Sequence, residues 1–147
     1  MKKRIFIFGF VLIVIGIILA FVCQAKVIKL KSVDDTKFKN TKMNNNTAYS
    51  YTITKNKSQF KDITNKSDIT INFKKYDYMV LEIDRGASCN ADIDIVNVDE
   101  KKTSINIDIK LYNIAPGCSV STPKYFAIPI SKKYKSNLEV ILNETGD

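Results

Sequence analysis

The sequence predicts a mainly β protein, a small antiparallel sandwich or barrel of six to seven strands with one short helix, preceded by an N-terminal transmembrane helix. Three observations predict this class. An apolar run without any charge extends from Ile5 to Val22. Further along, apolar and polar residues alternate in several short segments, which is the period of half-buried strands. The chain lacks the repeated helical segments of parallel α/β proteins, so its strands must bury their apolar faces against one another.

The N-terminal segment has the composition of a membrane-targeting sequence. Three cationic residues at positions 2–4 precede the apolar run, whose length of about 18 residues approaches the ~20 that cross a bilayer as a helix. Positive charge favours the cytoplasmic side, so the N-terminus is predicted inside and the remaining chain outside. Because the run is longer than a usual signal-peptide core, a retained single-pass anchor in the cell membrane is favoured over secretion after cleavage near Ala25. Lipidation of Cys23 is disfavoured by the bulky valine that precedes it.

The chain divides into three predicted segments. Residues 1–25 are the membrane anchor or signal segment, residues 26–46 a polar tether, and residues 47–147 an extracytoplasmic β domain. The formal net charge of +8 comes from lysines spread along the chain, without the arginine-rich stripe typical of nucleic-acid-binding proteins. We therefore expect no nucleic acid partner, and instead a weak attraction to anionic lipid or wall polymer.

Each predicted strand is a short stretch with period-two alternation. After the first strand, Phe60 and Ile63 are spaced to share one face of a short helix over residues 58–65, with Ser58 as its N-cap. The clearest hairpin has its turn at residues 99–102, between two strands that alternate isoleucine with polar residues. The predicted core positions are Tyr49, Tyr51, Ile53, Ile69, Ile71, Phe73, Met79, Leu81, Ile83, Ile93, Ile95, Ile105, Ile107, Ile109 and Leu111, followed by closing strands over residues 125–130 and 138–142.

The predicted exported domain contains one pair of cysteines, Cys89 and Cys118, each in turn-like surroundings. An oxidising compartment favours a disulfide between them if the two loops meet, and two unpaired thiols are the alternative. In the chain-entropy model, closing a loop of about 30 residues stabilises the fold by roughly 3–4 kcal/mol. A redox role is disfavoured because the chain has no Cys-x-x-Cys spacing and no histidine to lower a thiol pKa.

A series of short motifs runs through the predicted domain in a recognisable order. They are Phe60-x-x-Ile63, then Ile71-x-Phe73-x-Lys75-x-Asp77, a Gly loop, an alternating hairpin, Pro116-Gly117, and Pro123-x-Tyr125-Phe126-x-Ile128-Pro129. In this order, residues 47–132 resemble the C-terminal domain of the PrcB protease-complex proteins. The resemblance implies a small β-rich exported domain, similar in loop organisation to the chagasin inhibitors of cysteine proteases, whose loops contact the partner. The corresponding loop over residues 86–92 lacks the Thr-Gly-Gly-Tyr pattern, so inhibition itself is not carried over.

Candidate catalytic residues are few. The absence of histidine removes Ser-His and Cys-His pairs and the commonest proton shuttle. Carboxylates are the remaining candidates: Asp92, Asp94 and Asp108 on the polar face of the hairpin, and the pair Glu82 and Asp84. A solvated sheet face explains the three aspartates equally simply, so we predict no catalytic residues, no metal site and no cofactor.

The sequence therefore favours a membrane-anchored extracytoplasmic binding module, comparable with protease-associated accessory or inhibitor-like domains, whose partner is another envelope protein. Loops on a rigid sandwich are the usual place for recognition. The alternative is a carboxylate-dependent cell-wall hydrolase, which requires acidic residues to converge in one pocket. The predicted binding-loop residues are Arg85, Gly86, Ser88, Asn90, Pro116, Gly117, Ser119 and Ser121.

Overall fold

The computed structural model of the chain describes residues 26–44, 47–64, 69–85, 92–113, 122–134 and 138–145. The predicted membrane segment from Ile5 to Val22 lies outside these ranges, so its role as an anchor stays a prediction. Within the ranges, no helix combines the length and the apolar composition that crossing a bilayer requires.

The described chain forms eight strands, one α-helix and one 3-10 turn, arranged as two sheets. The five-stranded sheet has the order β1-β7-β4-β3-β2 and the three-stranded sheet the order β5-β6-β8, and these described strands leave both sheets open, without closing a barrel. The elements are β1 (Ile28–Leu30), a 3-10 turn (Asp35–Lys37), β2 (Lys39–Asn44), β3 (Thr47–Thr54), α1 (Lys57–Thr64), β4 (Asp77–Asp84), β5 (Asp92–Glu100), β6 (Ser104–Tyr112), β7 (Lys124–Ile130) and β8 (Glu139–Thr145).

The main core lies between the two sheets, as the alternating pattern predicts. Strand β4 contributes Met79, Leu81 and Ile83 to one face, because alternate side chains of a strand point the same way. The facing sheet contributes isoleucines of β5 and β6 and apolar residues of β8. The buried members of this cluster are Tyr49, Met79, Leu81, Ile83, Ile93, Ile105, Ile107, Ile109, Phe126, Ile128, Ile130, Tyr134, Leu138, Val140 and Leu142.

Helix α1 covers part of the other face of the five-stranded sheet. Its Phe60 and Ile63 are buried against Tyr78, Val80 and Ala127, which confirms the predicted apolar face of the helix. The helix begins one residue earlier than predicted because the N-cap is an asparagine and not Ser58. The amide N–H of Gln59 donates to Oδ1 of Asn56 at 3.0 Å, and Oε1 of Gln59 accepts from the N–H of Lys55 at 2.9 Å. This reciprocal arrangement resembles a capping box.

Side chains close one long side of the sandwich. Strand β8 is an edge strand, and backbone carbonyls of β8 and of the residue just before it accept hydrogen bonds from residues of the opposite sheet. The Tyr49 hydroxyl donates to the Val140 carbonyl at 3.0 Å, and the Tyr51 hydroxyl donates to the Leu138 carbonyl at 2.5 Å. Burial raises the pKa of both tyrosines. Because these carbonyls are occupied, the edge is protected from pairing with another strand.

The prediction of a polar tether over residues 26–46 is wrong for the residues that the structure describes. Regular structure begins at β1 and not at Thr47. Strand β1 pairs with β7, and β2 pairs with β3, both antiparallel. Neither strand shows an apolar alternation strong enough to identify it from the sequence. Strand pairing depends on backbone hydrogen bonds, so a polar segment forms a strand wherever an exposed sheet edge accepts it. These two strands raise the number above the predicted six to seven.

The predicted strand over Ile69, Ile71 and Phe73 is also absent from the described structure. Asn72 organises turns here: its carbonyl accepts from the N–H groups of Lys75 and Tyr76 at 3.1 and 3.0 Å, and its side chain accepts from Lys74 at 3.2 Å. An asparagine that forms such local hydrogen bonds with nearby backbone groups favours a turn over the pairing of strands. The apolar side chains of the segment instead pack beside α1.

Two further details of strand arrangement differ from the prediction. Strand β8 runs parallel to β6, because the strand between them in sequence, β7, belongs to the other sheet. The β5–β6 turn falls at residues 101–103, so Asp99 and Glu100 are part of β5. Strand β5 also contains a register shift between Ile95 and Asn97, which leaves Val96 exposed.

Candidate functional site

One end of the sandwich carries the bases of both predicted binding loops. We call it the loop end: β4, β6 and β8 finish there, and β5 and β7 begin there. Ile83 near the end of β4 pairs with Lys124 at the start of β7, and Asp92 at the start of β5 pairs with Tyr112 at the end of β6. The chain therefore passes from one sheet to the other twice at this end, between β4 and β5 and between β6 and β7.

Most predicted loop residues lie outside the described ranges, so their roles stay predictions. Thr122, which directly follows the predicted loop residue Ser121, is described and exposed. The proposed bridge between Cys89 and Cys118 is likewise outside the described residues. The remaining residues outside them are Gly86, Ser88, Asn90, Pro116, Gly117, Ser119 and Ser121.

Arg85 is described, and it is engaged within the fold. Its guanidinium forms an ion pair with the carboxylate of Glu144, and the Thr47 hydroxyl donates to the same carboxylate. Arg85 also lies 3.5 Å from the Thr47 hydroxyl oxygen. The side chains of Arg85 and Glu144 are only 21% and 16% exposed. This cluster joins the ends of β4 and β8 to the start of β3 and so holds the base of the first loop.

Asn113 holds the base of the second loop. Its φ of 57° places it in the left-handed region, which asparagine tolerates better than most residues. Its side-chain amide donates to the Asp92 carboxylate at 3.1 Å. The exit of β6 is thereby tied to the start of β5, where the first loop returns. Both loops thus leave from positions held by side-chain contacts.

A small recess lies beside the loop end, on the face of the five-stranded sheet away from the main core. Its volume is about 130 Å³, and its lining includes Thr41, Ser50, Glu82 and Asp84. The Ser50 hydroxyl donates to Oε2 of Glu82 at 2.6 Å. Glu82 and Asp84 share this face because they are two residues apart on β4. Glu82 and Asp84 were considered from the sequence, whereas Ser50 was missed. The signal that could have found it is the alternation of Ala48 and Ser50 with the inward tyrosines of β3, which places Ser50 on the outer face of the strand.

The three aspartates of the hairpin are distributed over the outer face of the three-stranded sheet, each with its own partner. Asp108 accepts hydrogen bonds from the side-chain amides of Asn143 at 2.8 Å and Asn97 at 2.9 Å. These hydrogen bonds, the one from Asn143 first, hold the pKa of Asp108 below its usual value. Among the described residues, no three carboxylate, cysteine or histidine side chains are grouped as a metal would require.

The Tyr112 hydroxyl donates a hydrogen bond to the Asp94 carboxylate. This hydrogen bond, followed by burial and the negative charge of Asp94, raises the pKa of Tyr112 to about 12. Because the pKa of Tyr112 is raised in the folded state, its hydrogen bond stabilises the fold fully below the unfolded pKa near 10. This stabilisation is lost as the pH rises through about 12. In an ultraviolet absorbance titration, we expect one tyrosine of Asp94→Asn to ionise at a lower pH than in the parent protein.

The control for this titration is Asp99→Asn, which changes an exposed carboxylate of the same strand. It should leave the titration of Tyr112 unchanged, and Tyr112→Phe should remove the contribution of this one tyrosine from the late part of the curve. An unaltered titration curve for Asp94→Asn would contradict the assignment.

The loop end as described offers hydrogen-bonding and charged groups for recognition. Amide, hydroxyl and carboxylate groups lie around the bases of the two loops, and the adjoining recess adds two acids and a serine. Such groups bind a partner by hydrogen bonds and charge complementarity. No protein-family model matches the chain, and neither the curated proteins nor the solved structures contain a match.

Proposed function

We propose that the protein is a single-pass, membrane-anchored extracytoplasmic module that binds another envelope protein through its loop end. The observation that carries the proposal is the convergence of both sheet-crossing connections at one end of the sandwich. Loops presented together on a rigid scaffold form the usual geometry of a recognition surface. The predicted N-terminal anchor supplies the location.

The first class of partner to test is an exported protease complex. The resemblance of residues 47–132 to a protease-complex domain supports this choice. The contacts at Arg85 and Asn113 support preorganised loops, because loop bases that are already ordered reduce the entropy lost on binding.

Photo-crosslinking in intact cells tests the proposal. A photoreactive amino acid at position 88 or 119 of the full-length chain should yield a discrete adduct with one envelope protein. The same residue at Asn143, on the outer face of the three-stranded sheet, is the matched control and should give no such adduct. Adducts that are equally abundant from all three positions would contradict binding by the loop end.

The alternative function, a carboxylate-dependent cell-wall hydrolase, is supported by the recess that Glu82 and Asp84 line together. Retaining and inverting glycosidases both use a pair of carboxyl groups. If the full-length protein degrades purified wall material, and Glu82→Gln or Asp84→Asn abolishes that activity without lowering the melting temperature, the hydrolase replaces the binding module.

A further inference from the structure

The end of the sandwich opposite the loop end is rich in lysine. We call it the basic end. It is formed by segments 55–57, 74–75, 101–102 and 132–133, each of which contains two lysines, and all eight side chains are exposed. Four separate turns therefore contribute charge of one sign to one end of the molecule.

Strand pairing shows that these four turns share an end. Asp77 at the start of β4 pairs with Ile130 at the end of β7, and Thr54 at the end of β3 pairs with Tyr78. In the other sheet, the Glu100 carboxylate accepts hydrogen bonds from the N–H of Ser131 at 3.1 and 3.2 Å. The β5–β6 turn thus lies against the segment that follows β7.

The acidic residues described at this end do not neutralise it. Asp77 is buried, and the exposed Glu139 lies beside the β5–β6 turn, where its N–H donates to the Thr103 carbonyl at 3.1 Å. Asp99 and Glu100 form ion pairs of 3.9 Å with Lys101 and Lys133. Surface pairs of this kind are weak and screened by salt. Eight lysines against these four carboxylates leave an excess of positive charge.

The direction of β1 relates the basic end to the N-terminal segment. Ile28 pairs with Ala127 and Leu30 with Tyr125, and β7 runs from the loop end towards the basic end. The chain preceding β1 is therefore directed towards the basic end. The predicted membrane segment ends at Val22, and the described chain begins at Lys26.

We propose that the basic end rests on anionic lipid headgroups and that the loop end faces away from the membrane. This inference rests on the proposed function for the anchor and adds the orientation and the lipid class. Charge complementarity favours it, because lysines near an anionic surface are attracted within about one Debye length, roughly 8 Å at physiological salt. A strand of 8 residues such as β4 separates the two ends by about 26 Å, so the loop end is held clear of the headgroups.

Fluorescence quenching on the full-length chain in vesicles tests the orientation. A dye is placed through a non-canonical amino acid either at Thr103, an exposed position of the basic end, or at Thr122, an exposed position of the loop end. The vesicles carry a nitroxide-labelled headgroup and contain either phosphatidylcholine alone or added phosphatidylglycerol. We expect strong quenching at Thr103 only with the anionic lipid, falling in about 0.5 M salt, and weak quenching at Thr122 throughout.

A charge variant and its matched control identify the lysines responsible. The variant K57Q/K74Q/K102Q/K132Q removes one exposed lysine from each turn of the basic end. The control K31Q/K37Q/K42Q/K124Q removes the same charge elsewhere. We expect the first variant to weaken co-sedimentation with anionic vesicles by about tenfold or more and to reduce the quenching at Thr103, with the control close to the parent protein. Equal effects of the two variants, or quenching independent of lipid charge, would overturn the proposal.

Failure of the anchor is distinguishable from failure of the docking. Resistance of the vesicle-bound chain to carbonate extraction reports on the anchor alone. If the chain is extracted, salt-sensitive co-sedimentation that only the basic-end variant loses still supports docking. Binding to isolated anionic wall polymer, without binding to anionic vesicles, would reject the lipid surface in favour of the polymer.

Discussion

Phe60→Ala is expected to lower the free energy of unfolding by about 3–5 kcal/mol. The Phe60 side chain is 1% exposed and is the main apolar contact between α1 and the five-stranded sheet. Its ring meets those of Phe73 and Tyr78 edge to face, with centroids 6.1 and 6.0 Å apart. Alanine would remove the buried area and leave a cavity between the helix, the sheet and the turn that contains Phe73.

Equilibrium denaturation in urea measures this effect, and two variants of the same helix serve as controls. Phe60→Leu retains most of the side-chain volume and should lower the free energy of unfolding by about half as much or less. Lys61→Ala changes an exposed neighbour and should stay within about 0.5 kcal/mol of the parent protein. A loss below about 1 kcal/mol for Phe60→Ala would show that α1 is not packed as described.

Arg85→Ala is expected to lower the free energy of unfolding by about 2 kcal/mol, which is the second largest effect. It leaves the largely buried carboxylate of Glu144 with the Thr47 hydroxyl as its remaining hydrogen-bond partner. Removing one partner of a fully buried ion pair costs more, about 3–5 kcal/mol, because the remaining charge is desolvated without compensation. Because the side chains of Arg85 and Glu144 are partly exposed, we expect a smaller loss of stability for Arg85→Ala.

A double-mutant cycle with Glu144→Gln isolates the coupling between the two side chains. Because Glu144→Gln removes the unpaired charge, we expect the double variant to be less destabilised than the two single changes would give by addition. Simple additivity would show that the ion pair does not stabilise the loop end. Arg85 is consequently a poor residue for testing partner binding by itself, because its substitution also changes the stability of the fold.

The candidate site was only partly predictable. Two loops could be recognised from their Gly, Pro and Cys content, but the cluster around Arg85 joins residues from β3, β4 and β8 that are far apart in sequence. The recess has the same origin: Ser50 and Glu82 meet because β3 and β4 pair in a particular register. Register depends on which faces are buried, and no local signal in either strand reveals it.

Local periodicity by itself determined the β class, the apolar face of β4 and the short helix, because a period of two or about 3.6 residues directly sets which side chains share a face. The tertiary structure alone decided the strand status of β1 and β2, the parallel pairing of β8 with β6, and the gathering of lysines at one end. These features depend on backbone hydrogen bonds at sheet edges and on the direction in which each strand crosses between sheets. Neither leaves a periodic trace in the sequence, so residues as scattered as Lys57 and Lys132 become neighbours of one surface only after folding.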